Sequence, residues 1–220
     1  MGVLLMLMTI GGLVAAGILL AISLFSKKAW LTKFTLGGVA VWLVFYVAML
    51  FGFSLISTEK VLAVDEPKEF CGFYFDCHMH TAVKAVRTTK IVGDQTAKGE
   101  FYIVTVQVFS DARSPSIGLR LTDPMAVVVD TNGNSFPRSK DAEKALPTAD
   151  VDLGQSVWNE KPLEKEIVFD LPVDFQNPRL DVREGLGIDK VIEAVLIGDE
   201  DSLFHKRTYF KLESATSTAS

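Results

Sequence analysis

Two long hydrophobic runs without a single charge fill the first quarter of this 220-residue chain. The first extends from Val3 to Phe25 and the second from Phe34 to Ile56. Because a helix rises about 1.5 Å per residue, each run can cross a hydrocarbon core of about 30 Å. The sequence therefore predicts a transmembrane helical hairpin over residues 1–57, with helices at about 3–25 and 34–56.

The first run has a second interpretation, as a cleaved signal peptide. Such a peptide begins with a basic segment and has a shorter apolar core. Here no charge precedes the run, and its apolar stretch is long. The sequence favours an uncleaved anchor and leaves the signal peptide as the alternative.

Lysines in the short connection between the two runs predict the orientation of the hairpin. The connecting segment Ser26–Thr32 contains Lys27 and Lys28, and Lys33 follows it. Since cytoplasmic loops carry an excess of Lys and Arg, this turn is expected in the cytoplasm, against a single Lys60 on the other side. We expect a bacterial inner (cytoplasmic) membrane protein whose C-terminal domain is periplasmic or extracellular.

Both hydrophobic runs contain small residues at helical spacing. Small residues four apart allow close approach of helices in lipid. Two interpretations stay open: the two helices pack on each other through these residues, or one small face docks on a partner subunit. The predicted helix-packing residues are Gly11, Gly12, Ala15, Ala16, Gly37 and Gly38.

Charge separates the anchor from the rest of the chain and argues against nucleic acid. Residues up to Val64 carry a net charge of +3, which leaves −8 for the remainder of a chain whose total is −5. Phosphate binding needs a dense basic surface, which this composition does not supply. The expected partners are the lipid bilayer and other subunits of an integral membrane complex, with no nucleic acid.

After a linker at 58–69 the pattern changes to the two-residue alternation of β-strands. Alternation is clear in Glu100–Phe109 and Ile167–Leu171, and Asn132-Gly133 is a strong hairpin signal. The sequence predicts an antiparallel β-sandwich over residues 70–212 and a polar tail at 213–220. Short helices are predicted at Ser139–Leu146 and Ile188–Leu196, although 194–197 could equally form a strand.

Three stretches of the predicted sandwich resemble a known family. They are AKGEFYIVTVQV, MAVVVDTNGNSF and EKEIVFDLPVDFQNPRLDV. They resemble the telokin-like, immunoglobulin-like bacterial extracellular domains of unknown function, whose motifs match Gly99–Val104, Asp130–Phe136 and Val168–Pro172. The resemblance extends over about 82–212 and implies an immunoglobulin-like sandwich on the outer face of a membrane. It supplies no catalytic residues, and the two-helix anchor departs from the family's usual single tether.

The segment Phe70–His80 is the one stretch with potential for site chemistry. It contains both cysteines of the chain, Cys71 and Cys77. An even cysteine count outside the cytoplasm favours pairing, so we predict a disulfide between them. The aromatic run Phe73, Tyr74 and Phe75 lies between the cysteines, and we interpret it as packing at the base of the domain or as a partner-contacting patch.

The same segment also suggests a metal site. In an extended strand His78 and His80 share one face, and two imidazoles spaced this way can bind copper or zinc. The cysteines and Met79 then face the opposite side, and His205 is the third histidine of the chain. The histidines therefore stay open between a metal site and ordinary surface side chains. The spacing Cys-x₅-Cys-His does not match the motif of covalent haem attachment.

Motifs of the common enzyme classes are missing from the sequence. It contains no serine nucleophile elbow, no phosphate-cradling glycine loop and no zinc-protease helix. We expect a non-enzymatic accessory or scaffold subunit that docks on and stabilises a larger membrane complex, such as a respiratory or photosynthetic assembly. The alternatives are a periplasmic copper- or zinc-binding protein and an outer-face ligand sensor.

Overall fold

The computed structural model describes residues 2–72, 76–114, 116–159, 161–185 and 188–213. Two apolar helices, α1 (Gly2–Phe25) and α2 (Ala29–Ile56), form an antiparallel hairpin. Both are long and apolar enough to cross a membrane. Helix α2 begins five residues before the predicted start, so Lys33 lies in its second turn and a single lysine does not end the helix.

Several polar side chains between α1 and α2 form hydrogen bonds within the hairpin. The indole Nε1 of Trp42 donates to Thr9 Oγ1 at 3.0 Å, and the hydroxyls of Ser23 and Thr32 lie 2.6 Å apart. Thr9 also donates to the carbonyl of Leu5 at 2.8 Å. In lipid no water can satisfy such groups, so internal pairing is the arrangement that a spanning hairpin requires.

The remainder of the chain is rich in β-strands, which form two sheets. The strands are β1 (Lys60–Leu62), β2 (Lys68–Gly72), β3 (Asp76–Val92), β4 (Gln95–Ser110), β5 (Met125–Val129), β6 (Ser135–Pro137), β7 (Leu163–Leu171), β8 (Arg179–Arg183) and β9 (Thr208–Lys211). One sheet has the order β2-β3-β4-β7 and is antiparallel throughout. The other has the order β1-β9-β8-β5-β6, and β1 pairs with β9 in parallel. The prediction of a purely antiparallel sandwich was therefore wrong for this edge.

The main hydrophobic core draws side chains from both sheets. Alternate residues of β4 point into it, as the sequence pattern predicted, and Val104, Val106 and Val108 are fully buried. Phe169 from β7 and Phe210 from β9 fill its centre. Because buried apolar area is the dominant stabilising term, this cluster accounts for most of the stability of the β-domain.

The structure explains why two of the sequence motifs contain glycine. In the hairpin between β5 and β6, Gly133 has a φ of 84°, a conformation that glycine adopts without strain. The Oδ1 atom of Asp130 accepts from the backbone N–H groups of Asn132 and Asn134, each at 2.8 Å. At Gly99 a Cβ atom would lie 1.9 Å from the carbonyl oxygen of Leu171, so only glycine permits this approach of β4 to β7.

Two short helices complete the described structure. Helix α3 is the four-residue Lys140–Glu143, shorter than the predicted 139–146. Helix α4, Ile188–Val195, confirms the predicted helical stripe. By contacts the chain divides into two units, residues 1–59 with 187–207 and residues 60–186 with 208–220. The sequence prediction had assigned all of 70–212 to the sandwich, whereas residues 187–207 group with the helices.

Candidate functional site

The two apolar helices leave a groove along their junction. Its volume is about 400 Å³. The floor and walls come from both helices, and the small or hydroxyl-bearing members of the lining are Gly12, Ala15, Ala16, Thr35 and Gly38. Trp42 forms one wall, held by its hydrogen bond to Thr9. Four of the six predicted small residues therefore line this groove, and Gly11 and Gly37 do not.

Four glycines of this hairpin are not required by its own packing. A Cβ atom added at Gly11, Gly12, Gly37 or Gly38 would meet no heavy atom within 4 Å. Ala16 is the member of the small-residue set that is buried between the helices. Internal packing therefore explains Ala16 and leaves the four glycines open to the outside.

A second groove of about 710 Å³ runs along α2 itself. Gly37 and Gly38 form its floor, and Phe34, Trp42 and Phe45 are among the side chains of its walls. Phe34 is 75% exposed, so nothing in the described chain covers this side of α2 at that residue. Together the two depressions make one continuous apolar face with glycine at its centre, which we call the glycine face.

Thr35 was missed by sequence reasoning. It lines the groove at the junction of the helices and is 7% exposed, yet its Oγ1 atom has no hydrogen-bond partner within the part of the chain that the structure describes. A threonine among apolar residues resembles ordinary helix composition, so no sequence pattern distinguishes Thr35. A buried hydroxyl without a partner costs free energy in any apolar environment.

In the β-domain the predicted disulfide between Cys71 and Cys77 is present, with Cα atoms 3.9 Å apart. It joins the end of β2 to the start of β3. Because both sulfurs are used, neither thiolate is available as a metal ligand. The predicted contact residues Phe73, Tyr74 and Phe75 lie outside the described residues.

His78 and His80 converge on one carboxylate, that of Asp111. The Nδ1 atom of His78 lies 2.7 Å from Asp111 Oδ1, and Nε2 of His80 lies 3.2 Å from the same oxygen. Neither ring nitrogen of the buried His80 has a hydrogen bond of good geometry, and its ring stacks on Phe109 at 5.1 Å. Asp111 was not predicted, although it directly follows β4, the strand that pairs with the histidine strand.

The imidazoles control the ionisation of that carboxylate. The hydrogen bond with His78 has the largest effect and lowers the pKa of Asp111. Burial opposes this by raising the pKa, and His80 adds a further, smaller lowering. Across the described residues, no group of three or more His, Cys, Asp and Glu side chains is arranged to hold a metal ion. The histidines face a carboxylate rather than a common vacant point, and the copper or zinc site stays a prediction.

A polar cavity of about 630 Å³ lies in the loops of the β-domain. Arg120, Asp123, Arg138 and Asp152 contribute charged side chains to its lining. Arg138 is already engaged by Glu143, with Nε 2.8 Å from Glu143 Oε1. The cavity therefore carries charges of both signs, and one of its arginines is already paired with Glu143. Such a lining does not favour one class of ligand, so the ligand-sensor alternative also stays a prediction.

Residues 188–207 pack along the last turns of α2. Tyr46 donates its hydroxyl to the carbonyl of Val195 at 2.8 Å, and Ile197 packs with Tyr46 and Leu50 in a small apolar cluster. Closer to the C-terminal end of α2, the ring of Phe204 lies 5.6 Å from that of Phe51. Since these contacts join residues about 150 positions apart in sequence, no local pattern predicts them.

Asp199 makes the packing of this segment dependent on pH. Burial raises the pKa of Asp199, and the negative charges of Asp201 and Glu200 raise it further. A hydrogen bond from the Asp201 N–H and the charge of His205 lower the pKa and only partly offset this rise. A raised folded pKa means that packing is most stable at acid pH and weakens as pH rises through that pKa. We expect Asp199→Asn to remove this weakening, measured as slower hydrogen exchange of 188–207 at neutral pH and equal exchange in acid after correction for intrinsic rates.

The exposed carboxylate of Asp174 in the β-domain provides the control for this experiment. Asp174→Asn should leave the pH dependence of exchange in 188–207 unchanged. If Asp199→Asn and the parent chain show the same profile between acid and neutral pH, the carboxylate of Asp199 does not control this packing.

Comparisons with known proteins give remote structural likenesses. No protein-family profile and no curated protein matches the chain. Among solved structures, the secreted protein MPT63 from Mycobacterium tuberculosis is 11% identical, with a TM-score of 0.43 over 59% of this chain and 92% of that one. A conserved hypothetical protein from Bacillus anthracis is 15% identical, with a TM-score of 0.40 over 53% and 92%. The yjhA protein from Bacillus subtilis is 15% identical, with a TM-score of 0.42 over 69% and 98%.

Proposed function

We propose that this protein is a non-enzymatic accessory subunit, anchored in a bacterial inner membrane, that docks through its glycine face on a transmembrane helix of a larger complex. The observation that carries the proposal is the open set of glycines on this face: Gly12, Gly37 and Gly38 permit close backbone approach that the described chain does not use. In lipid, association of helices depends on such close packing rather than on the hydrophobic effect.

Three features of the hairpin support anchoring over a cleaved signal. Its outward side chains are apolar and exposed, for example Val41 at 72%, unlike the core helix of a soluble protein. Its polar groups are largely paired internally. Leu5 of α1 packs against the cluster of Tyr46, Leu50 and Ile197, a contact that cleavage would remove.

The disulfide and the lysines support an outer location for the β-domain. Lys27 and Lys28 lie in the turn between α1 and α2, where the positive-inside rule expects them to face the cytoplasm. The disulfide between Cys71 and Cys77 belongs to the β-domain, and such bonds persist in oxidising compartments. Both arguments favour the periplasmic or extracellular side for this domain.

We assign the β-domain to the immunoglobulin-like class as part of the same proposal. Its two facing sheets, its single main core and the turns at Gly99 and Asn132-Gly133 agree with the motifs of the telokin-like family. The parallel pairing of β1 with β9 is an addition at one edge and leaves the other strand pairs antiparallel. In this proposal the domain contacts the outer parts of partner subunits.

A helix fits the glycine face better than a lipid chain does. A glycine floor lets two backbones approach closely enough for Cα–H···O contacts, which an acyl chain cannot make. A partner helix with a hydroxyl or amide side chain could also satisfy Thr35 Oγ1, which is buried without a partner. The expected occupant is therefore an apolar helix with small and hydroxyl-bearing residues.

Filling the glycine face should abolish docking. We expect Gly12→Leu with Gly38→Leu to remove proteins that co-purify with the full chain after gentle detergent extraction, as identified by mass spectrometry. The hairpin should tolerate both changes, since a Cβ atom at either position meets no atom of the facing helix within 4 Å and the rest of the leucine side chain can extend into the open groove. Gly52→Leu is the matched control, because Gly52 is equally open but lines neither groove.

The outcomes of this experiment separate the candidate occupants. Partners that are retained by Gly52→Leu and lost from the double variant support docking on the glycine face. A parent chain that purifies as a lone monomer would contradict the subunit proposal. A parent that purifies only as a homodimer would replace the partner helix with a second copy of this chain.

A further inference from the structure

Residues 188–207 expose apolar side chains on the surface that the hairpin does not cover. Val191 and Phe204 are 66% and 68% exposed, and Val195 and Leu203 are also exposed. Val191 and Val195 are four residues apart in α4, so they share a face of that helix. Exposed apolar groups concentrated in so short a segment indicate an interaction surface.

The contacts of this segment with α2 show which part of that helix it lies beside. From Lys33, Tyr46 lies about 20 Å along α2 and Ser57 about 36 Å, at 1.5 Å per residue. The segment touches α2 throughout this interval, from the Tyr46 hydroxyl to Ser57 Oγ, which accepts from the backbone N–H of Lys206 at 2.8 Å. A hydrocarbon core of about 30 Å that begins near Lys33 ends within the same interval.

The exposed apolar surface of α2 continues onto the segment. Phe51 and Phe53 are exposed on α2, and the ring of Phe204 lies 5.6 Å from that of Phe51. Below this pair, Ile197 is buried against Tyr46 and Leu50. One apolar surface therefore passes without interruption from the spanning helix to the segment beside it.

On the basis of the anchor proposed above, we propose that residues 188–204 bind the outer surface of the lipid bilayer, with Val191, Val195, Leu203 and Phe204 at the boundary between headgroups and acyl chains. A helix with apolar and charged faces lies in that boundary plane. Residues 188–207 contain five acidic and three basic side chains. This balance favours zwitterionic over anionic lipid.

Fluorescence quenching in vesicles tests the proposal. The full chain, with its disulfide oxidised, is given one added cysteine at a time, labelled with a polarity-sensitive fluorophore and reconstituted in phosphatidylcholine containing a lipid with a nitroxide near the headgroup. We expect several-fold stronger quenching after Val191→Cys or Val195→Cys than after Lys190→Cys. Lys190 is the matched control, because it is exposed on the same helix but polar.

Two further positions separate failure of this inference from failure of the anchor. Val41→Cys, on the exposed surface of α2, reports whether the hairpin is in lipid, and Val173→Cys reports background from the β-domain. Quenching at Val41 with none above background at Val191 and Val195 would overturn the inference and leave the anchor standing. No quenching at Val41 would overturn both.

Discussion

Replacing Glu143 with alanine should lower the free energy of unfolding of the β-domain by about 3–5 kcal/mol, the usual cost of breaking a buried ion pair. Glu143 is 6% exposed. Its Oε1 accepts from Arg138 Nε at 2.8 Å and from the backbone N–H of Val168 at 3.2 Å, and Oε2 accepts from Arg138. Alanine would leave a partly buried guanidinium and a strand N–H without these acceptors.

The size of this effect follows from where Val168 lies. Strand β7 is at the edge of its sheet, and in place of a further strand Val168 donates to Glu143 and its carbonyl accepts from the Ser139 N–H at 2.7 Å. Glu143 and Ser139 therefore help to cover the edge of β7, together with Thr148, whose Oγ1 accepts from the Glu166 N–H at 2.9 Å. A loss of this size is a large part of the 5–15 kcal/mol that stabilises a typical domain.

The measurement is hydrogen exchange of β4 and β7 peptides in the full chain in detergent, which reports the free energy of opening. Glu143→Gln should fall between the parent and alanine, because the amide keeps an acceptor and loses the charge. Asp141→Ala is the control on the same helix, where the carboxylate pairs with Lys144 in solvent. Equal exchange of the Glu143 and Asp141 variants would show that the buried pair contributes nothing.

Replacing Lys68 with methionine should destabilise the β-domain by about 2–4 kcal/mol through two unpaired carbonyls and a lost buried charge. Lys68 is 4% exposed and begins β2, in the antiparallel sheet. Its ammonium donates to the carbonyls of Val182 at 2.8 Å and Thr208 at 3.4 Å, both in the other sheet, and lies over the ring of Phe70. Lys68 therefore joins the two sheets across the core.

Methionine keeps the length of the side chain, so the packing of the stem is largely retained. Guanidinium unfolding of the full chain in detergent, followed by far-UV circular dichroism of the strands, gives the change in stability. Lys84→Met, on the adjacent strand β3, removes an exposed lysine that pairs with Asp65, and should change little. Matching transitions for the Lys68 and Lys84 variants would show that the link between the sheets does not contribute.

Features governed by local chemistry were predictable from the sequence. The turn at Asn132-Gly133 needs only a positive φ and the carboxylate of Asp130, which are set within five residues. The alternation in β4 is fixed by the two-residue period of a strand against one core. The two apolar helices follow from length and composition. Such features need no knowledge of distant parts of the chain.

Features that depend on distant partners were not predictable. The polar segment around Glu143 looks like a solvated helix, and its burial arises only when β7 reaches it. Packing of Ile197 against Tyr46 follows from tertiary contact. In the candidate site, the sequence showed that Gly12 and Gly38 are small but not which way they face, because that depends on the rotation of each helix.

The parallel pairing of β1 with β9 has a mechanical consequence. Lys60 pairs with Thr208 at the point where the chain enters the β-domain from α2 and again from the segment after α4. Just before this pair, Lys206 donates to Ser57. A force that pulls the helices away from the β-domain would be shared by two neighbouring backbones, β1 and β9. If it acts along these parallel strands, the hydrogen bonds between them are loaded together and not one after another. Separating the β-domain from the helices would therefore require both backbones to give way, and not a single strand.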